Sequence, residues 1–113
     1  STEESEDNCA VMAALELDNY LRYGNIKNSV NFPNVDMPMS TAVRVCVLHA
    51  NVPAILSQIT GVLSAEGINI ENLTNKSKGN NAYTVLDISA VPGDEAIAKL
   101  EAVSGIYRVR VIK

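Results

Sequence analysis

Apolar and polar residues follow three different patterns along this chain, and the first is helical. In STEESEDNCAVMAALELDNYLRYG, residues 1–24, small and apolar side chains recur at three- and four-residue spacing, which predicts an amphipathic helix. Ser1 or Thr2 can cap this helix, and Gly24 can end it. Acidic side chains fill the first turn, where the helix dipole favours negative charge: Glu3, Glu4 and Glu6. The predicted apolar stripe comprises Ala10, Ala13, Ala14, Leu17 and Leu21, widened by Val11 and Leu15.

The second zone, NIKNSVNFPNVDMPMS at residues 25–40, has neither a helical nor a strand period. Pro33 and Pro38 keep the residues before them out of the helical region, so the zone is predicted to be an extended hinge or linker. Its apolar side chains are too numerous for a free linker, and we expect them to lie along a surface: Val30, Phe32, Val35 and Met37.

The third zone, residues 41–113, begins with a strand and a helix. AVRVCVL alternates between two faces, with Val43, Val45 and Val47 on one and Arg44, Cys46 and Leu48 on the other. VPAILSQITGVLSAEG then takes a helical period, with Pro53 in the first turn and Gly67 at the end. Its predicted buried stripe comprises Ile55, Leu56, Ile59, Val62 and Leu63.

The rest of this zone completes a β-α-β-β-α-β order. INIENLTNKSK and AYTVLDISA are predicted strands joined by a polar turn at residues 79–81. PGDEAIAKLEAVSG is a second helix, with Asp94 and Glu95 in its first turn, and IYRVRVI is a closing strand. The inward residues of this second helix are predicted to be Ile97, Leu100 and Val103. The order predicts an α+β, ferredoxin-like domain: an antiparallel sheet with two helices on one face.

Composition narrows the classes of function. With 113 residues, of which 47% are hydrophobic and 19% charged, the chain fits one globular domain with an appendage. A net charge of −4 argues against nucleic acid as a partner, and no apolar run is long enough to predict a membrane span or a signal peptide. Cys9 and Cys46 form no disulfide or zinc pattern, so we expect a cytoplasmic protein with both cysteines buried and no metal.

Because the ferredoxin-like plan hosts many functions, function has to be argued from sites. An RNA-recognition module needs aromatic side chains on its central strands, but this domain has only Tyr83 and Tyr107. A metallochaperone needs a cysteine pair in the first loop, which here reads HANVP. An acylphosphatase-like enzyme needs an arginine in that loop, whereas Arg44 lies within the strand.

The first loop does offer the N-terminus of a helix, which attracts anions. The backbone amides of Asn51, Val52, Ala54 and Ile55 are candidate donors there. The only histidine of the chain, His49, lies beside Asn51, and together they could hold a carboxylate and a small polar group, as an amino acid requires. In the alternative interpretation, Asn51 only caps the helix and His49 is a solvated loop residue. On these residues alone the alternative is favoured.

Residues 1–38 resemble the part of the D-3-phosphoglycerate dehydrogenase family that ends its nucleotide-binding domain and leads into its regulatory domain. STEES is similar to the motif that follows the family's catalytic histidine, and NSVNFPNVDMP resembles its hinge. Residues 41–113 resemble an ACT domain, a module that senses amino acids. The resemblance implies three parts: a helix from the end of the nucleotide-binding domain at 1–24, a hinge at 25–40 and the regulatory domain at 41–113.

The same resemblance implies that the dinucleotide loop and the catalytic residues precede Ser1. The chain itself would then be no enzyme and hold no cofactor, while the parent enzyme would use NAD. In serine-sensitive members the effector lies between two paired ACT domains, at positions that match His49 and Asn51 of one copy and Asn69 of the other. This implies a homodimer that binds L-serine or another small amino acid.

One residue departs from the family pattern. Ala54 follows Pro53 where the family usually has glycine, and its Cβ narrows the space at the helix N-terminus. Two hypotheses therefore remain: a serine-sensing regulatory domain, and an assembly module that no longer binds an effector.

Overall fold

The computed structural model describes residues 2–113, with side chains described from Ala10 onward. The elements are α1 (Thr2–Tyr23), β1 (Val43–Ala50), α2 (Pro53–Ala65), β2 (Ile70–Lys78), β3 (Asn81–Ile88), α3 (Asp94–Ala102) and β4 (Ile106–Ile112). Three predictions concern side chains before Ala10, which are outside the described part: the cap at Ser1 or Thr2, the acidic first turn at Glu3, Glu4 and Glu6, and the burial of Cys9. Within residues 2–113, no helix is long and apolar enough to cross a membrane.

The four strands form one antiparallel sheet in the order β2-β3-β1-β4. Val43 lies opposite Ile88, and Ala50 lies opposite Asn81, so β1 and β3 are paired over their whole length. The pairing of β1 with β4 shifts by one residue between Leu48 and His49. This strand order and the two helices between strands confirm the predicted ferredoxin-like fold.

The main core lies between the sheet and the helices α2 and α3. Val45 and Val47 of β1 are fully buried there, as the strand alternation predicts. Helix α2 contributes three residues at four-residue spacing and α3 contributes one, each at most 1% exposed: Ile55, Ile59, Leu63 and Leu100. Leu56, Val62, Ile97 and Val103 of the predicted stripes are only partly buried.

A second, smaller core covers the opposite face of the sheet. Val35 and Met37 of the segment 25–40 pack against Cys46, Tyr83 and Val85. A β-bridge between Ile26 and Val35 folds the segment back on itself. The expectation that this segment lies along a surface is confirmed for Val35 and Met37. It is wrong for Val30, which is 85% exposed.

Side chains from this face of the sheet hold the C-terminal end of α1. Arg44 donates a hydrogen bond to the Tyr23 carbonyl at 2.8 Å, and the Tyr83 hydroxyl donates to the Gly24 carbonyl at 2.6 Å. Arg110 donates to the Tyr20 carbonyl, and its guanidinium lies 4.5 Å from the centre of the Tyr20 ring. Two cations therefore meet the negative end of the helix dipole, which fixes the end of α1 against the sheet.

The rest of α1 projects from the domain. Its predicted apolar stripe is largely exposed, including Val11 at 58%, Leu15 at 64% and Leu21 at 59%. The helical period is thus confirmed over residues 2–23, while the apolar face it creates is not covered by residues 24–113.

Candidate functional site

His49 lies within β1, so its assignment to a loop was wrong. Its side chain is 2% exposed because it lies on the sheet face that also carries Val45 and Val47. Nδ1 of the ring is 2.8 Å from the Ala50 carbonyl oxygen, and Nε2 is 2.8 Å from Oγ1 of Thr84. Both ring nitrogens therefore have partners within the chain, and His49 is neither solvated nor free.

Asn51 is positioned by the turn between β2 and β3 rather than by the helix. Its Nδ2 donates to the Gly79 carbonyl at 3.1 Å, and its backbone amide donates to the Asn80 carbonyl at 2.9 Å. The residue before the first turn of α2 is Val52, and none of the side chains from Ala10 onward caps this helix. The alternative in which Asn51 caps α2 is thus wrong. Its exposed side chain keeps Oδ1 available to a ligand.

Of the four backbone amides predicted to bind an anion at the start of α2, two remain as candidates. The amide of Asn51 is used as above, and the amide of Val52 donates to the Ala50 carbonyl at 2.9 Å. Ile55 has only a long bond of 3.4 Å to the Val52 carbonyl, and its side chain is buried in the main core. Within the described part of the chain, the Ala54 amide has no backbone acceptor. Ala54 and Ile55 can therefore offer N–H groups to an anion.

Asn69 lies at the other end of the sheet. Its backbone amide donates to Oγ of Ser89 and its carbonyl accepts from the Ser89 amide, both at 3.0 Å. Ile70, the next residue, pairs with Ile88, which pairs with Val43 at the start of β1. The nine residues of β2 separate this end from the Asn51 end by about 27 Å. A single copy of the chain therefore does not bring Asn69 to His49.

Sequence reasoning missed Thr84, the partner of His49. Thr84 is fully buried, and its hydroxyl also lies 3.2 Å from Oδ1 of Asn75 on β2. The sequence pattern that could have identified Thr84 is the alternation of β3, which places it on the same strand face as Leu86 and Ile88. A hydroxyl on an otherwise apolar face requires a buried partner.

The structure also bears on the function classes that were set aside. Tyr83 is buried against the linker segment, so its ring cannot stack on a base. The same burial raises the pKa of its phenol. Arg44 is fully buried and cannot serve as a phosphate ligand. Among the side chains that the structure describes, no group of three or more His, Cys, Asp or Glu could hold a metal ion.

Arg44 instead forms a buried ion pair with Asp87. Its Nε lies 2.6 Å from Oδ1 of the carboxylate and its Nη2 lies 3.0 Å from Oδ2, with both side chains fully buried. Ser40 donates to Oδ2 through its amide at 2.9 Å and its hydroxyl at 2.8 Å. Burial alone would raise the pKa of Asp87, but the hydrogen bonds from Arg44 and Ser40 and the charge of Arg44 hold it below its ordinary value.

Known proteins resemble the chain over nearly its full length. It is 35% identical to D-3-phosphoglycerate dehydrogenase 2 of Saccharomyces cerevisiae and 28% identical to D-3-phosphoglycerate dehydrogenase of Escherichia coli, over 99% of its residues in both cases. It spans only 25% and 28% of the lengths of these relatives.

The fold is also found among solved structures. The ACT domain from GTP pyrophosphokinase of Chlorobium tepidum superposes with a TM-score of 0.50 at 23% identity, covering 62% of this chain and 95% of that one. The family model described as the AHAS small subunit-like ACT domain matches residues 45–108, which is more than half of the chain. The chain therefore belongs to the AHAS small subunit-like ACT domain family.

Proposed function

We propose that this chain is the regulatory part of a D-3-phosphoglycerate dehydrogenase, and that it binds L-serine between two copies of its ACT domain. The similarity to such dehydrogenases over 99% of the chain supports the assignment to this enzyme. In this proposal residues 1–24 end the nucleotide-binding domain, residues 25–40 join the domains and residues 41–113 sense the effector. Catalysis and NAD binding would belong to other parts of the longer enzyme.

The observation that carries the proposal is that the site residues lie at opposite ends of the edge strand β2. Asn51 is bonded to Gly79 just after β2, whereas Asn69 stands just before it. If β2 pairs antiparallel with β2 of a second copy around its middle residue, Thr74, Asn69 of that copy comes opposite Gly79. Pairing the strands also gives partners to the outward N–H and C=O groups that an edge strand presents.

The groups that would meet at this interface match an amino acid. The amides of Ala54 and Ile55 suit the carboxylate, because they stand at the positive end of α2. Oδ1 of Asn51 can accept from the ammonium group, and Asn69 of the second copy can bond the remaining polar group. His49 can join the site only by exchanging one of its two internal partners.

The alternative, an assembly module without an effector, has its own support. The internal hydrogen bonds of His49 already satisfy its ring, and Ala54 adds a Cβ next to the candidate anion site. In this alternative the two copies pair in the same way, but the space between them is closed to ligands.

Titration calorimetry with L-serine separates the two functions. We expect binding by the wild type and at least about 10-fold weaker binding by Asn51→Ala, since a hydrogen bond to a charged group contributes about 1.5–3 kcal/mol. Asn69→Ala loses a hydrogen bond to an uncharged group and should bind about 2- to 10-fold more weakly. Asn31→Ala, which alters an exposed asparagine of the linker, is the matched control and should bind like the wild type. No heat from the wild type up to millimolar L-serine would eliminate the sensor and leave the assembly module.

Light scattering on the same samples tests the pairing of the two copies. We expect a dimer at the concentrations used for calorimetry. A strict monomer that nevertheless binds L-serine would contradict a site shared between copies.

A further inference from the structure

Three side chains on the helix-covered face connect the buried ring of His49 to the edge of the sheet. Nε2 of His49 is 2.8 Å from Oγ1 of Thr84, and that oxygen is 3.2 Å from Oδ1 of Asn75. His49 and Thr84 are buried, whereas Asn75 is exposed on β2. These three residues, called the relay below, cross strands β1, β3 and β2 in that order.

The strand registers hold the relay together. Thr84 lies directly opposite Asn75 in the β2–β3 pairing. Across the other side of β3, Thr84 lies opposite Val47, which places His49 on the neighbouring diagonal position. Directly opposed and diagonal side chains on one sheet face are within contact distance. The relay is therefore a consequence of the pairing of three strands and does not depend on a flexible loop.

The Thr84 hydroxyl has one hydrogen, so it can donate either to His49 or to Asn75 but not to both. The Ala50 carbonyl can only accept, so Nδ1 of His49 donates to it. In a neutral ring Nε2 then accepts the one hydrogen of the Thr84 hydroxyl, and the hydroxyl oxygen can only accept from the Asn75 amide NH₂. The structure has the opposite orientation of the amide, with Oδ1 of Asn75 facing the hydroxyl; the hydroxyl then donates to Asn75 and has no hydrogen left for Nε2. The orientation of the Asn75 amide therefore depends on what Nε2 binds.

We infer that Thr84 and Asn75 are positioning residues of the effector site and that they carry its occupancy to the edge strand. This inference rests on the proposed function. An effector that takes over Nε2 of His49 releases the Thr84 hydroxyl, which then gives its hydrogen to Asn75. The amide of Asn75, which faces the hydroxyl with its NH₂ group while Nε2 holds that hydrogen, then turns Oδ1 toward the hydroxyl, which is the orientation in the structure. Its outer face changes from acceptor to donor. Because Asn75 lies on β2, this change occurs in the strand that would pair with the second copy.

Nuclear magnetic resonance of the imidazole nitrogens tests the first half of the inference without any ligand. His49 is the only histidine, so its ring signals need no assignment. At pH 8 we expect one tautomer, with hydrogen on Nδ1, in the wild type and in Thr84→Ser, which keeps the hydroxyl. Thr84→Val should shift the Nε2 signal, because the ring loses its partner at that nitrogen, while Nδ1 keeps its hydrogen against the Ala50 carbonyl. Identical ring signals in the wild type and in folded Thr84→Val would overturn the positioning role.

The second half is tested by adding L-serine and following the side-chain amide signals of Asn75. We expect them to shift in the wild type and in Thr84→Ser but not in Thr84→Val, which should also bind L-serine about 5- to 10-fold more weakly. Asn75→Ala, at an exposed position that should not disturb folding, should change the Nε2 signal of the free protein. Unchanged L-serine affinity in both Thr84→Val and Asn75→Ala would refute the relay. Failure of the wild type to bind L-serine would instead refute the proposed function, and the ring signals would still decide the positioning role.

Discussion

Replacing Asp87 with alanine is expected to lower the free energy of unfolding by about 3–5 kcal/mol, the range for removing one partner of a buried ion pair. The change leaves the guanidinium of Arg44 buried without a counter-ion, and it removes the acceptor of both hydrogen bonds from Ser40. Because Arg44 also bonds the Tyr23 carbonyl, the attachment of α1 should weaken too. Urea denaturation at pH 7 gives the difference in unfolding free energy between variant and wild type.

The matched control removes an exposed ion pair. Asp18 and Arg22 pair on the surface of α1, with side chains 57% and 66% exposed. Water screens such a pair, so Asp18→Ala should change stability by no more than about 0.5 kcal/mol. Equal losses in the two variants would contradict the special contribution of the buried pair.

The contribution of Asp87 should also depend on pH. Its pKa is lowered in the folded protein, so the pair stabilises the fold above the unfolded-state pKa of about 3.9. This stabilisation is lost as the pH falls through the lower folded-state value. The difference in unfolding free energy between wild type and Asp87→Ala should therefore be constant from pH 7 to about 5 and shrink below about pH 4. A difference that does not change down to pH 3 would contradict the ion-pair origin.

Gly24→Ala is expected to cost about 2–4 kcal/mol, the second largest effect. Gly24 has a φ of +75°, which disfavours any residue with a Cβ. A Cβ there would also lie 2.5 Å from Sγ of Cys46 and 3.0 Å from the Tyr83 hydroxyl oxygen, so the packing between α1 and the sheet would have to shift. Thermal and urea denaturation would measure this loss.

Gly61→Ala is the control for this second effect. Gly61 lies within α2, and a Cβ at this position would meet no atom within 4 Å apart from its chain neighbours and the backbone of its own helix. Alanine is the better helix former, so this change should stabilise the protein by up to about 1 kcal/mol. A Gly24→Ala variant as stable as the wild type would contradict the close packing of Gly24 against Cys46 and Tyr83.

Local pattern predicted the elements of this fold because each one has its own signal. The alternation of β1 identified Val45 and Val47 as core residues and placed Cys46 on the other face. The same alternation could not reveal that Arg44 is an ion-pair partner, because Asp87 is 43 residues away in sequence. Pairing between distant strands is decided by the register of the whole sheet.

The candidate site shows the same limit. Pro53 correctly indicated the start of α2, but the extension of β1 to Ala50, which buries His49, depends on its pairing with β3. Capping is a local signal and indicates Asn51 as a possible helix cap, whereas its observed acceptor, Gly79, is 28 residues away. Candidate residues for the site could thus be proposed from the sequence, but their hydrogen-bond partners could not.

Mixing two defective variants tests the shared effector site most directly. Asn51→Ala and Asn69→Ala homodimers should each bind L-serine weakly, because every site in them lacks one asparagine. After exchange in a 1:1 mixture, about half of the dimers should be mixed, and each mixed dimer has one site with both asparagines. We therefore predict that the mixture recovers tight L-serine binding at about a quarter of the wild-type stoichiometry. No recovery in a mixture whose copies demonstrably exchange would contradict a site built from both copies.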